Sequence, residues 1–426
     1  MTPLAASSSS TQRIGCAFVV RPGQERRGLA DTLTLFPRRS TSSRRDCRAL
    51  AWDAMDTWDA VVVGGGIAGV SVGFELAQRG YKVLLLEMER HLAHHTTGRS
   101  AALHAEAHGH PVVQPLTRAS RPVFESPPNL TEVPLAGERR GVLTVASASQ
   151  LADVAEQAAE AKAAGVTTHL LNAKETVERV PVLRADWVAG ALWQPGAFDI
   201  DVAATHQMYV RGIRLHGGEI RTSSPVTELA ADGSGWHVAS GKERYRAGIV
   251  VDAAGAWGDR VAEMAGVTPL GLVPKRRTAF MVASEPGRAH WPLVFSAASD
   301  FYFKPDGSQL LCSLAEEEPS EPCDPRPREE DIALAIERIN HVTTLGILGV
   351  RSAWTGLRTF APDGGMVIGA DTSAVGFFWL VGQGGSGIGS APAAAQLLAS
   401  LIVTGAAPAH LAEVDLEALG PGRFRR

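Results

Sequence analysis

The stretch from Asp59 to Glu87, DAVVVGGGIAGVSVGFELAQRGYKVLLLE, constrains the fold more than any other part of the chain. It opens with an apolar run, Ala60 to Val63, of the kind that fills a strand buried on both faces. Gly64, Gly66 and Gly69 follow in GxGxxG spacing, then a helical segment with Val70, Phe74 and Ala77 on one face. Gly80 ends that segment, and a second apolar run, Val83 to Leu86, stops at Glu87. Strand, glycine turn, helix and strand make a complete βαβ unit. Its glycines allow the tight turn, the approach of a pyrophosphate to the helix N-terminus, and close packing of helix on strand. Glu87 lies 21 residues after Gly66, where an acid accepts hydrogen bonds from a ribose diol. The unit predicts a bound dinucleotide.

The chain has 426 residues, room for two or three domains of about 150 residues. With 45% hydrophobic and 20% charged residues it has the composition of an ordinary globular protein. A net charge of −4 gives no electrostatic reason to expect nucleic acid or an anionic membrane as partner. Cys16, Cys47, Cys312 and Cys323 form no CxxC pair, so neither zinc nor a disulfide framework is suggested, and no metal is expected. The longest apolar stretch, Phe377 to Val403, is interrupted by Gln383, several glycines and Pro392, and reads as too broken for a membrane span. Residues 1–55 stand apart: nine arginines face four acids, serine is abundant and periodicity is absent. Three readings fit that segment: a mitochondrial or plastid transit peptide, a disordered extension, or sequence ahead of a start at Met55. The expected location is cytoplasmic, or an organelle if the segment is a transit peptide.

Further along, AGIVVDAAGAWGDRVAEMAG (247–266) repeats the order strand, small-residue turn, helix. Small residues at Ala253 to Gly255 let a cofactor approach the backbone. Near the C-terminal end, GQGGSGIGSAPAAAQLLASLI sets glycines before an Ala/Leu helix. A second glycine-rich helix start about 320 residues after the first fits a cofactor gripped at both ends by backbone amides. The histidines His94, His95, His104, His108 and His110 cluster after the first unit, without acid or Cys partners at regular spacing.

These blocks together resemble the D-amino-acid oxidase-like flavoprotein family over about residues 57–415, and within it most closely the bacterial D-arginine dehydrogenases. The matching segments are HTTGRSAA (95–102), RVPVLRAD (179–186), DIDVAATHQMYVRGIR (199–214), GVTPLGLVPKRRTAF (266–280), FYFKPDG (301–307), WTGLRTF (354–360) and GFFWLVGQGGSGI (376–388). The resemblance implies FAD, held noncovalently, and a Rossmann-like α/β FAD-binding domain interleaved with an α+β substrate domain on a mixed or antiparallel sheet. The expected FAD-binding domain comprises 56–140, 196–265 and 354–415, and the substrate domain 141–195 and 266–353. The FAD contacts expected from the resemblance are Gly64, Gly66, Gly69, Glu87, Arg99, Ser100, Val226, Ala254, Gly255, Gly384, Gly385, Gly387 and Ile388. The partners implied are a small amino-acid or amine substrate and an electron acceptor that no motif identifies.

An α-amino acid oxidised by a flavin needs its carboxylate fixed, best by a planar guanidinium offering two parallel donors. Arg277 and Arg358 resemble the family's carboxylate-binding arginines, and Tyr302 the tyrosine that adds a third hydrogen bond. The expected reaction is oxidation of a D-amino acid to the imino acid by hydride transfer to flavin. The alternatives are oxidation of a secondary amine such as sarcosine or of a 2-hydroxy acid, or a flavin-binding assembly factor without turnover. The departures from the family lie in the substrate pocket. Leu103 replaces a histidine, His108 replaces a tyrosine lid, and the acid that would receive a cationic side chain falls near Gly141, with Glu138 three residues away. An unpaired buried charge costs several kcal/mol, so D-arginine and D-lysine are expected to be poor substrates.

Overall fold

The strand Asp56–Val63 lies between Val83–Leu86 and Glu243–Asp252, parallel to both. This gives the βαβ unit its place at the centre of a sheet, as its unbroken apolar run requires. Phe377–Val381 extends the sheet in parallel beside Glu243–Asp252, and Val367–Ala370 closes that edge antiparallel. Glu219–Arg221 forms the other edge. The hairpin strands Val226–Ala231 and Trp236–Ser240 run antiparallel off Glu243–Asp252, so eight strands form the sheet. These are features of a computed structural model that describes residues 56–425. The segment 1–55, read above as a targeting peptide, an extension or sequence ahead of Met55, lies outside the described residues.

Helices Ile67–Ala77, Gln114–Glu125, Val202–Leu215 and Gly387–Thr404 cover one face of this sheet in one apolar cluster. All eleven residues of Ile67–Ala77 are buried. The apolar stretch that reads as too broken for a span divides into the strand Phe377–Val381, a glycine turn and the helix Gly387–Thr404, which continues through Pro392. The length and composition of this helix would suit a membrane crossing, with a mean hydropathy of 1.4. Here eleven of its residues are buried, and it packs against Ile67–Ala77 and Gln114–Glu125 as a core helix.

A second eight-stranded sheet runs in the order 352–360, 273–283, 309–313, 302–306, 293–296, 142–146, 190–194, 169–172. All its pairings are antiparallel except Leu293–Ser296 with Val142–Ala146. Helix Glu329–Val342 packs behind it on Phe280, Val294 and Phe303. One boundary differs from the sequence expectation. Ser352–Phe360, assigned there to the FAD-binding segments from 354 onward, pairs with Val273–Ala283 and belongs to the second sheet. The apolar alternation of WTGLRTF fits either sheet, and only the long-range pairing decides. The architecture is therefore an α/β dinucleotide domain interleaved with an α+β domain on a mixed sheet.

Candidate active site

The turn between Val63 and Ile67 is shaped by glycines that have no space for a side chain. Gly64 has φ +109°, and a Cβ there would stand 2.5 Å from the Ala253 carbonyl oxygen. Gly69, one turn into the helix, would bring a Cβ to 1.8 Å from the Gly64 carbonyl oxygen. Gly69 therefore sets the distance between helix and turn and does not line the cavity, whereas Gly64 and Gly66 do. His206, which the sequence reading passed over, donates from Nε2 to the Gly65 carbonyl 3.0 Å away. Burial holds its pKa below the ordinary histidine value, which favours the neutral ring suited to that bond. Its signal was a polar residue on the apolar face of Val202–Leu215.

Glu87 is nearly buried at the end of its strand. Its carboxylate accepts the Gly65 N–H at 2.6 Å and the Glu89 N–H at 2.8 Å. Glu87 lines the cavity, and each oxygen, with one backbone donor, has capacity for a second, as a ribose diol would supply. Glu87→Ala removes that acceptor and unpairs two backbone donors. At roughly 1.5–3 kcal/mol for hydrogen bonds to a charged group, FAD affinity of the apoprotein should fall at least about tenfold. Fluorescence titration with FAD measures this, and an unchanged dissociation constant would remove Glu87 from the cofactor site.

The cavity these residues open is about 710 Å³ in volume. It runs past Val226, the turn Ala253–Gly255, Arg99 and Ser100, to Gly384, Gly385, Gly387 and Ile388 at the start of the long helix. Asp252 shapes the middle turn by accepting the Ala254 N–H at 3.0 Å, and Gly255 completes it at φ +55°. Gly384 has φ +54°, and a Cβ there would lie 2.7 Å from the Phe360 ring. Glycine amides at two helix starts, an acid at the strand end and a small-residue turn between them fit a flavin dinucleotide. Arg99 contributes bulk more than free charge: its guanidinium donates to the Thr355 carbonyl at 2.8 Å and pairs with Asp324.

His94 and His95 also line this cavity. His95 Nε2 lies 3.0 Å from Glu89 and its ring 4.6 Å from Trp257. The sequence reading found no acid partner for these histidines, but Glu89 is one. The three ligand atoms of Glu89, His94 and His95 lie within 4.8 Å of one another.

Arg277, Tyr302 and Arg358 come together through strand register. Arg277 stands opposite Gly356, and Lys275 opposite Arg358, which puts both arginines on one face of the second sheet. Ala279 is two residues on from Arg277 and pairs with Ser313, which pairs with Tyr302. The three polar groups thus share one face and line the FAD cavity's inner end. A second cavity of about 430 Å³ adjoins it and shares Ser100, Arg277, Tyr302, Arg358, Gly385 and Ile388. The same face continues beyond Tyr302 through Phe295, Thr144 and Leu192 as its floor.

Arg277 donates from Nε to the Glu316 carbonyl at 2.8 Å and pairs with the exposed Glu317 at 3.2 Å. Burial and the neighbouring Arg358 lower its pKa to about 10. Arg358 is half-buried, and its side chain makes no hydrogen bond or ion pair with the described residues. The Tyr302 ring stacks on Phe295 at 6.2 Å. His108 is placed in the second cavity, where its exposed surface faces cavity space. Desolvation there, with Arg358 and Arg277 opposite, holds its pKa down to about 4, so the ring is neutral at pH 7. A Cβ on Gly385 would stand 3.0 Å from Arg358 Nη1 and 3.4 Å from His108 Nε2, which locates both groups over the second glycine turn.

The model of the family described as FAD dependent oxidoreductase (DAO) matches residues 59–401. The chain belongs to this family. It is an FAD-dependent oxidoreductase. It is similar to the mitochondrial sarcosine dehydrogenase of Homo sapiens, 28% identical over 82% of this chain and 40% of that protein. It is also similar to the glycine oxidase of Geobacillus kaustophilus, 25% identical over 81% of this chain and 93% of that protein. The chain thus spans less than half the length of the first of these relatives. The crystal structure of that glycine oxidase superposes with a TM-score of 0.75 at 23% identity, covering 85% of this chain and 98% of its own. L-proline dehydrogenase from P. horikoshii gives 0.78 at 22% identity, covering 87% and 99%. The likeness is to the family as a whole, and these relatives are glycine-, sarcosine- and proline-type enzymes, not D-arginine dehydrogenases.

Proposed function

We propose that this oxidoreductase acts on the Cα–N bond of an α-amino acid. D-amino acids are the first substrates to consider, and the product is the imino acid, which hydrolyses to the 2-oxo acid and ammonia. The observation that carries the reading is the shared sheet face of Arg277, Tyr302 and Arg358 where the two cavities meet. A half-buried guanidinium without a protein partner, as at Arg358, is stabilised by a ligand carboxylate that accepts its two parallel donors. Tyr302 and the remaining donors of Arg277 stand beside it on the same face. His108, neutral at pH 7, adds no third cation and covers the site from the 103–110 loop. FAD, when bound without a covalent link, supplies the hydride acceptor.

A second reading, oxidation of an N-substituted amino acid, is favoured by the sarcosine dehydrogenase and glycine oxidase relatives. Both substrate types present the same carboxylate. A cationic side chain fits poorly. Neither Gly141 nor Glu138 lines the cavity, and its one carboxylate, Glu160, is exposed to solvent.

Anaerobic flavin bleaching and dye reduction test the proposal. A D-amino acid should reduce the flavin, while its carboxamide derivative should not. Bleaching by sarcosine or proline alone selects the second reading, and by 2-hydroxyglutarate alone the hydroxy-acid chemistry. Absence of bleaching with every amine tested overturns the proposed function.

A further inference from the structure

The far wall of the second cavity holds a polar group that nothing in the protein uses. Gln194 is only 7% exposed, lines this cavity, and its amide makes no hydrogen bond with the described residues. It stands opposite Val142 on the ladder between Val142–Ala146 and Gly190–Gln194. Thr144, its diagonal neighbour, points to the same face and also lines the cavity. Around them the sheet face is apolar, formed by Val142, Leu192, Leu293 and Phe295, while Gln157 and Glu160 line the cavity from the helix Leu151–Ala163. The cations are confined to the opposite end, at Arg277 and Arg358.

A nearly buried primary amide offers two donors and an acceptor, and a ligand that shuts them off from water must replace their hydrogen bonds. An apolar side chain in this pocket would seal that amide from cavity water without replacing its hydrogen bonds. A charged end of either sign would find no counter-ion at that depth, since Glu160 sits at the exposed rim. Only a neutral group that both donates and accepts answers Gln194 and Thr144 fully.

We propose that Gln194, aided by Thr144, is the specificity-determining group for the substrate's side chain, selecting amino acids with an apolar stem that ends in an amide or hydroxyl. This rests on the amino-acid oxidation proposed above. The site lies outside the FAD cavity, so changes there act on substrate choice and leave cofactor binding intact.

The test compares kcat/KM for glutamine, methionine and lysine, in the enantiomer the enzyme oxidises, using dye reduction. The wild type should prefer glutamine to methionine, which matches its length but lacks the amide. Gln194→Met keeps the volume and should lower the glutamine-to-methionine ratio at least about tenfold, the scale of one lost hydrogen bond to a buried partner. Gln194→Glu should raise lysine turnover by a similar factor, and flavin absorbance should match wild type in both. Thr144→Val serves as a third variant should either fail to fold, with a smaller shift of the same sign. Ratios unchanged within about twofold in folded variants that still oxidise amino acids overturn the assignment of Gln194 while leaving the amine reading standing. Absence of turnover with any amine in the wild type overturns both.

Discussion

Arg358→Ala should leave a folded, yellow protein whose kcat/KM for its amino-acid substrate has fallen roughly 10²–10³-fold. Truncating one partner of a desolvated charge pair costs about 3–4 kcal/mol, and each 1.36 kcal/mol is a factor of ten. The side chain has no other partner to lose, because the Arg358 guanidinium makes no hydrogen bond or ion pair with the described residues. Stability should therefore change little, which separates a binding role from a structural one. Arg358→Lys should recover only part of the loss, since an ammonium restores the charge without the two parallel donors. Arg277→Ala is a useful contrast. Arg277 also holds the Glu316 carbonyl and Glu317, so its loss should lower thermal stability as well as turnover. Steady-state kinetics beside a melting curve distinguish the two, and undiminished kcat/KM in Arg358→Ala would show that the carboxylate binds elsewhere.

Gly69→Ala is the smallest change with the largest expected structural effect. The added methyl would lie 1.8 Å from the Gly64 carbonyl oxygen, a backbone atom that no side-chain rotation can move. The helix Ile67–Ala77 would have to shift, yet all its residues are packed. Overpacking ordinarily costs about 1–3 kcal/mol, and a clash with backbone lies above that range. The variant should be recovered with little or no FAD and a lowered melting temperature. The control is Gly80→Ala: Gly80 has φ +87° but open space around it, so it carries backbone strain alone. A Gly69→Ala protein with full flavin content would mean that helix and turn are looser than their packing implies.

The βαβ unit was fully legible because every part of it is local: an apolar run, glycine spacing and an acid within one short stretch. The turn Ala253–Gly255 and the helix start at Gly384 were legible for the same reason. The floor of the substrate cavity was not. Thr144, Leu192, Phe295 and Tyr302 become neighbours only through pairing between strands up to about 150 residues apart in sequence. Nothing in VLTVA marks Thr144 as facing a cavity, with Leu143 and Val145 in the core behind it. The resemblance supplied Arg277, Tyr302 and Arg358 by position, and the ladder registers supply the reason that they share a face. It drew attention to Gly141 and Glu138 for the side-chain pocket, whereas Gln194 is the nearly buried polar side chain that lines it.

The interleaving of the two sheets also governs how this chain comes into being. From Asp56 to Val381 the backbone passes from the first sheet to the second, back, across again and home. The parallel neighbour of Glu243–Asp252 is Phe377–Val381, and the cofactor's far grip begins at Gly384. During synthesis, then, the glycine turn at Gly64 emerges more than 300 residues before its counterpart. Until that counterpart arrives, the helix Ile67–Ala77 has no Gly387–Thr404 to cover it, and its apolar surface stays open to mispairing. Contacts this distant in sequence close late and slowly. Flavin capture is thus one of the last events on the folding route, and free FAD should raise the yield of native chain by drawing that final closure forward.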